Sequence, residues 1–162
     1  MTVVSDSSPL VILTKLGCFD LLNRLFSRVY ISAEVHDEVV VVGTGLPGAA
    51  EVSNAKWIEV KQLQNPPSLL AAQQKQALGL GEISMAKELG ANPVLLDDYK
   101  ARMLAKAEAL QILGSVGLVE AFYARGYLTD LRACNRQLIS QNVYIDQRLL
   151  DRRLRALGLP PL

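Results

Sequence analysis

Two apolar segments of the sequence end in aspartates. Asp97 and Asp98 directly follow the run Pro93–Leu96, and Asp6 follows Thr2–Val4 after one serine. Both runs are rich in residues typical of strands, and a helical pattern follows each of them. The carboxyl ends of parallel strands meet at one edge of a sheet, where open α/β proteins bind their ligands. We therefore expect these aspartates to lie together at a site.

Two glutamates complete the candidate set of acids. Glu82 follows a Gly-Leu-Gly turn and opens a predicted helix, and Glu38 lies on a helix predicted to begin after Ser32. Clustered carboxylates raise each other's pKa by repulsion, a penalty that a divalent cation removes. Mg²⁺ and Mn²⁺ prefer oxygen ligands and often retain substrate phosphate in their coordination shell. Such a site can activate water for an in-line attack on a phosphodiester.

Other chemistries have less support in these residues. The single histidine, His36, excludes a multi-histidine metal site. The chain lacks the G-x-S-x-G motif of serine hydrolases. The glycine-rich segment 43–48 lacks the Gly-Lys-Ser/Thr ending of a phosphate-binding loop. A phosphatase of the Asp-x-Asp type would need an acid at position 8, which is Ser8.

Each candidate acid also has a purely structural interpretation. Asp6 could accept backbone hydrogen bonds within its own turn. Glu38 could be a solvated helix residue, and Glu82 could be a favourable charge in a first helical turn. Of Asp97 and Asp98, we expect one to cap the following helix and the other to face the site, and the residue order does not decide which.

Alternating strand and helix patterns would position these acids. They predict right-handed crossovers and a mostly parallel central sheet with helices on both faces, which is a three-layer α/β/α architecture. Ser8, Thr129 and Asp146 are predicted N-caps, and the last helix is predicted over residues 146–157. Three further segments are predicted, namely helices over residues 68–76 and 99–109 and an extended piece over residues 142–145.

The length and composition are those of an ordinary globular protein. A chain of 162 residues can bury a substantial core, and we expect a single domain over residues 1–162. No apolar run reaches the roughly 20 residues of a membrane-spanning helix, and we expect no signal peptide. Cys18 and Cys134 form no metal-type pair, so we predict reduced thiols in a cytoplasmic protein, with a disulfide as the alternative.

The net charge of +1 is unevenly distributed along the chain. Residues 121–162 contain seven arginines and three aspartates, a net charge of +4, which leaves −3 for the other 120 residues. This asymmetry fits an acidic metal site beside a surface for a polyanion. It also fits two solvated faces of opposite sign.

Four segments, in this order, resemble the PIN domain, and most of all its small stand-alone prokaryotic branch related to VapC-type toxins. The segments are residues 3–10 (VVSDSSPL), 31–39 (ISAEVHDEV), 78–83 (LGLGEI) and 95–102 (LLDDYKAR). The run Gly114–Gly117 fits the helix start that this branch places after its last core strand. Two features depart from the toxin pattern: Leu96 precedes the two aspartates where Thr/Ser-x-Asp/Asn is usual, and Lys100 occupies a region where another acid often stands.

The resemblance implies a three-layer α/β/α fold, a ribonuclease site dependent on Mg²⁺ or Mn²⁺, and a homodimer. The acids of the family carry over onto Asp6, Glu38, Glu82 and the pair Asp97 and Asp98. Asp6, Glu82 and either Asp97 or Asp98 would hold the metal, directly or through water, and Glu38 would complete its shell or orient the attacking water. Three further residues are the candidates for contact with substrate: Ser8, which also matches the polar residue that supports the first acid, Lys100 and Arg102.

Our leading hypothesis is therefore a metal-dependent endoribonuclease whose arginine-bearing C-terminal helices contact RNA phosphates. One version of it is the toxin of a toxin–antitoxin pair, with an antitoxin protein as partner. The alternative is a binding module for nucleic acid or protein that keeps the fold with a degenerate site. Metal affinity separates the two hypotheses, because a binding module needs no Mg²⁺.

Overall fold

The computed structural model describes residues 2–62, 80–97, 103, 105–141 and 146–162. Its strands are β1 (Thr2–Ser5), β2 (Arg28–Ser32), β3 (Ile58–Lys61), β4 (Val94–Leu95) and β5 (Ile112–Leu113). Its helices are α1 (Ser7–Lys15), α2 (Leu21–Leu25), α3 (Ala33–His36, continued by a π-helical turn over Asp37–Val42), α4 (Ala49–Asn54), α5 (Leu80–Leu89), α6 (Ser115–Ala124), α7 (Leu131–Ser140) and α8 (Gln147–Ala156). The segments predicted over residues 68–76 and 142–145 lie outside the described residues, as does part of the helix predicted over 99–109.

The five strands form one sheet in the order β3-β2-β1-β4-β5, and every pairing is parallel. From the central β1, the chain builds β2 and β3 on one side and β4 and β5 on the other. The strand order therefore reverses between β1 and β4, and this switch point is where a doubly wound sheet opens a crevice for ligands. The parallel sheet predicted from the alternating patterns is confirmed.

Successive residues of β1 point to opposite faces of the sheet and enter two separate cores. Val3 packs in the larger core with Leu13 of α1 and Phe122 of α6. Val4 packs in the smaller core with Met85 of α5. All five side chains are at most 3% exposed, and each buried side chain of this size contributes roughly 2 kcal/mol to folding. Helices thus cover both faces of the sheet, which confirms the three-layer α/β/α architecture.

Two of the three predicted helix caps are displaced by one or two residues. Asp6, still extended at φ −76° and ψ 172°, is the N-cap of α1, so Ser8 lies inside the helix. Asp130 rather than Thr129 caps α7, and its carboxylate accepts the N–H of Ala133 at 3.0 Å. In both places adjacent residues are all good N-caps, so the sequence pattern does not choose among them. Asp146 caps α8 as predicted, by accepting the N–H of Arg148.

Cys18 and Cys134 are free and buried, as predicted. Burial raises the pKa of the Cys18 thiol to about 12, so it stays protonated at neutral pH. Among the described residues, no helix combines the length and the apolar character needed to cross a bilayer.

Candidate metal centre

Asp6 and Asp97 lie side by side at the carboxyl ends of β1 and β4. In the pairing of these strands, Ser5 lies opposite Leu95. Asp6 is one residue beyond Ser5, and Asp97 is two residues beyond Leu95. The backbone N–H of Asp6 donates to the carbonyl oxygen of Leu95 at 2.9 Å and extends the strand pairing by one more bond. The prediction that these acids share one edge of the sheet is confirmed.

The carboxylate of Asp97 is tied to two helices. One oxygen, Oδ1, accepts the backbone N–H of Ser115 at 2.7 Å, and Oδ2 accepts the hydroxyls of Ser115 at 2.8 Å and Ser8 at 3.1 Å. Asp97 therefore joins the end of β4 to the first turns of α1 and α6. Ser8 supports this acid and not Asp6, which differs from the role that the family resemblance implied for it.

Asp6 lies in a different environment at the same edge. Burial raises the pKa of its carboxyl group, and the negative charges of Glu38 and Asp97 raise it further. Hydrogen bonding from Ser7 acts in the opposite direction, with the Ser7 hydroxyl 3.5 Å from Asp6 Oδ1. No ion pair joins Asp6 to a described basic residue, so its charge is poorly compensated.

Glu82 reaches the site from the first turn of α5. Burial raises the pKa of its carboxyl group to about 7, and the charge of Asp6 is the next largest cause. The charges of Glu34 and Glu38 raise the pKa of Glu82 further. Electrostatically, Glu82 and Asp6 therefore belong to one cluster, although they are 76 residues apart in the sequence.

Glu34 and Glu38 form the exposed side of this cluster. The hydroxyl of Ser32 accepts the N–H of Val35 and starts α3, and Val35 and Val39 face the core. Both glutamates are exposed, and both act on Glu82 through their charge. Glu34 is absent from the acids selected from the sequence, and its signal there was its spacing of one helical turn from Glu38.

Some predicted site residues are not part of the described cluster. Asp98, Lys100 and Arg102 lie outside the described residues. His36 contacts Asp37 at 3.9 Å and has a side chain 36% exposed. Over the part of the chain that the structure describes, no group of three or more His, Cys, Asp or Glu side chains is placed to hold a metal ion.

The donor set nevertheless fits a hard divalent cation in its chemistry. Asp6 and Glu82 supply carboxylate oxygens at a partly buried place, where burial and neighbouring negative charges make ionisation of both groups more costly. A cation would lower that cost. Mg²⁺ commonly binds through one or two carboxylates together with water and substrate phosphate, so it does not require a cage of three side chains.

Comparison with known proteins agrees with this fold. A protein-family model described as a PIN domain matches residues 2–159. No curated protein matches the chain significantly. PIN domains are in general nucleases that act on nucleic acids, typically with divalent metal ions. Because the match extends over nearly the whole chain, and the parallel α/β/α fold agrees with it, this chain belongs to the PIN-domain family.

Proposed function

We propose that this PIN domain is an endoribonuclease that hydrolyses RNA phosphodiesters with the help of Mg²⁺ or Mn²⁺. The observation that carries the proposal is the grouping of two partly buried acids, Asp6 and Glu82, at the switch point of the sheet, where burial and like charges raise the pKa of both. Strongly perturbed carboxyl groups in such a crevice are typical of functional sites. Placing two partly buried carboxylates among like charges lowers the stability of the fold, and a purely structural role does not account for it.

In this proposal the acids divide into three roles. Asp6 and Glu82 hold the cation, and Asp98 is the further ligand expected from the sequence. Asp97 keeps α1 and α6 in place through its three hydrogen bonds, so that Asp6 stays at the crevice. Glu38, on the exposed side, orients the attacking water. The cation, when bound, supplies Lewis-acid activation of water and stabilises the charge on the phosphate.

Asp6→Asn tests the proposal, because it removes a ligand charge and leaves the volume of the side chain nearly unchanged. RNA cleavage in Mg²⁺ and in Mn²⁺ should fall by more than the roughly 10- to 100-fold typical of losing a residue that only supports a metal ligand. The matched control is Asp20→Asn, an exposed acid before α2 that makes no side-chain cap bond. Wild-type cleavage in the Asp6→Asn protein, with contaminating nuclease excluded, would refute the proposal.

One observation favours the second candidate, a binding module without catalysis. Among the described residues no three potential ligands are placed to hold a metal, and both oxygens of Asp97 already accept hydrogen bonds. This module would bind RNA equally well with and without Mg²⁺. RNA binding by the wild type without any metal binding or cleavage would select it over the nuclease.

We further propose, from the resemblance to VapC-type proteins, a cytoplasmic toxin that an antitoxin protein neutralises. Induced expression should then arrest bacterial growth, and Asp6→Asn should restore it. Growth arrest of equal strength with the variant would contradict a nuclease toxin.

For the homodimer, the support is three exposed apolar side chains close together in the sequence, at the end of the π-helical turn and in the loop after it: Val41 (60% exposed), Val42 (80%) and Leu46 (64%). Exposed apolar patches often mark protein contacts. Sedimentation of the wild type should give a dimer mass, and Val42→Asp should give a monomer. A wild-type protein that sediments as a monomer at all concentrations would exclude the dimer.

A further inference from the structure

Helix α8 presents a stripe of three arginines to solvent. Arg148, Arg152 and Arg155 have the spacing i, i+4 and i+7, which places them on one face of an α-helix. All three are exposed, whereas Leu150 and Leu154 form the buried face. We call these three residues the arginine stripe.

The arginine stripe differs from neighbouring arginines in having no structural use. Arg153 on the same helix donates to both carboxylate oxygens of Glu120 in α6, and Arg132 donates to the carbonyl oxygen of Pro161 at 2.8 Å. Within the stripe, the Arg148 side chain has only a long contact of 3.8 Å with Asp146, and it is 92% exposed. No hydrogen bond or ion pair joins the guanidinium groups of Arg152 and Arg155 to any described residue.

A depression of about 560 Å³ is lined by the arginine stripe together with Asp146 and Asp151. The two acids have structural partners there. Asp146 accepts the N–H of Arg148 as the helix cap, and Asp151 accepts the backbone N–H of Leu162 at 2.8 Å. Among the described residues, none accepts a hydrogen bond from the three guanidinium groups, so these groups are available to an acceptor from outside.

We infer that the arginine stripe binds the phosphate backbone of single-stranded RNA. Guanidinium groups match phosphate oxygens with two parallel hydrogen bonds, and successive members of the stripe lie about 5–6 Å apart at Cβ, a spacing that lets each meet a different phosphate. The Arg153–Glu120 pair connects α8 to α6, and α6 begins at Ser115, which Asp97 holds at the candidate metal centre. The helix that carries the stripe is therefore connected to the helix that begins at the candidate metal centre. The choice of RNA as the polyanion rests on the proposed function.

The test measures RNA binding and does not depend on cleavage. Asp6→Asn protein in a metal-free buffer is titrated with a fluorescent single-stranded RNA at a series of KCl concentrations. Replacing the arginine stripe by glutamine should lower the slope of log affinity against log salt by about 2, because each phosphate contact on a single strand contributes about 0.7. Replacing the three arginines by lysine should retain the slope. That result would show that the loss of slope in the glutamine variant comes from the lost charge and not from disruption of the helix.

The matched control removes three exposed charges elsewhere, by Lys56→Gln, Lys106→Gln and Arg125→Gln. It should change the slope by less than half as much as the stripe variant. Equal slopes for the wild type and the glutamine stripe would overturn the inference. Displacement of the RNA by polyglutamate at the same concentration of charge would also overturn the inference. It would indicate that the stripe binds an acidic protein. If binding behaves as expected while the wild type never cleaves RNA, the stripe stands and the nuclease proposal falls.

Discussion

Asp97 and Glu82 belong to the same crevice but have opposite environments. Asp97 receives three hydrogen bonds from Ser8 and Ser115, two of them at 2.8 Å or less. Glu82 is surrounded by the negative charges of Asp6, Glu34 and Glu38, and burial raises its pKa to about 7. A carboxylate with donors contributes to stability, whereas a buried carboxylate among like charges reduces it.

Asp97 therefore stabilises the structure around the site, whereas Asp6 and Glu82 are the acids to which we assign its proposed chemistry. Asp97 anchors two helix starts to β4, a role that requires no metal. Asp6 and Glu82 gain little from the fold, and a divalent cation would convert their cost into binding energy. The difference therefore predicts opposite signs when each type of acid is neutralised in metal-free protein.

The largest expected effect is a loss of stability on removing the anchor. Asp97→Ala leaves the Ser115 N–H and two hydroxyls without their acceptor, so the free energy of unfolding should fall by about 3 kcal/mol. Urea unfolding measures this change, with Asp20→Ala as an exposed control that should stay within about 0.5 kcal/mol of the wild type. A loss below about 1 kcal/mol for Asp97→Ala would show that the acid is not an anchor.

Neutralising Glu82 should have the opposite sign at alkaline pH. Its pKa of about 7 in the folded protein lies above the ordinary value of 4.5, so the folded state binds more protons and loses stability as the pH rises from about 4.5 to 7. A tenfold shift in a protonation equilibrium is worth about 1.4 kcal/mol, so the rise from 4.5 to about 7 sets an upper limit of about 3.5 kcal/mol. Because the side chain is only partly buried, we expect Glu82→Gln to stabilise metal-free protein by about 2 kcal/mol at pH 8. Near pH 4 the two proteins should differ little.

Unfolding of both proteins by urea at pH 4 and pH 8 gives the measurement, with Asp20→Asn as the control for removal of an acid. An identical difference between Glu82→Gln and wild type at the two pH values would contradict the assigned cause. A destabilised variant at pH 8 would place Glu82 with the anchors and remove the distinction between the two acids.

The smallest effect concerns the single bond from Ser8. Ser8→Ala removes one of the three donors to Asp97 and leaves the two from Ser115. The free energy of unfolding should therefore fall by about 1 kcal/mol, and by less if alanine improves the helix. A double-mutant cycle with Asp97→Asn should find a coupling between the two positions. Additive effects would mean that the hydroxyl makes no useful bond to this acid.

Local sequence patterns were enough to predict a parallel sheet and the position of Asp6 and Asp97 at its edge. Strand-forming runs that end in aspartate identified β1 and β4, and the alternation with helices predicted that these strands run parallel. From there, the proximity of Asp6 and Asp97 follows from the geometry of any parallel sheet. The prediction about Glu82 as a first-turn residue of a helix is also confirmed.

Long-range partners could not be predicted in the same way. The bond from Ser8 to Asp97 joins residues 89 apart, and the role of Ser115 depends on where α6 starts relative to β4. Predictions of the N-cap residue were wrong where neighbouring residues were equally suitable, as in the run from Ser5 to Ser8. The π-helical turn after α3, in which the Gly43 N–H donates to the carbonyl of Glu38, had no signal in the spacing of the apolar residues.

Direct titration with Mn²⁺ would decide whether the destabilising acids form a metal centre. Calorimetry at pH 8 should detect binding to the wild type and to Asp20→Asn, and binding should be lost or weakened at least about tenfold in Asp6→Asn and Glu82→Gln. Binding should also weaken at pH 5.5, where Glu82 is protonated. No Mn²⁺ binding by the wild type, or equal affinity in Asp6→Asn, would contradict a metal centre built on these two carboxylates.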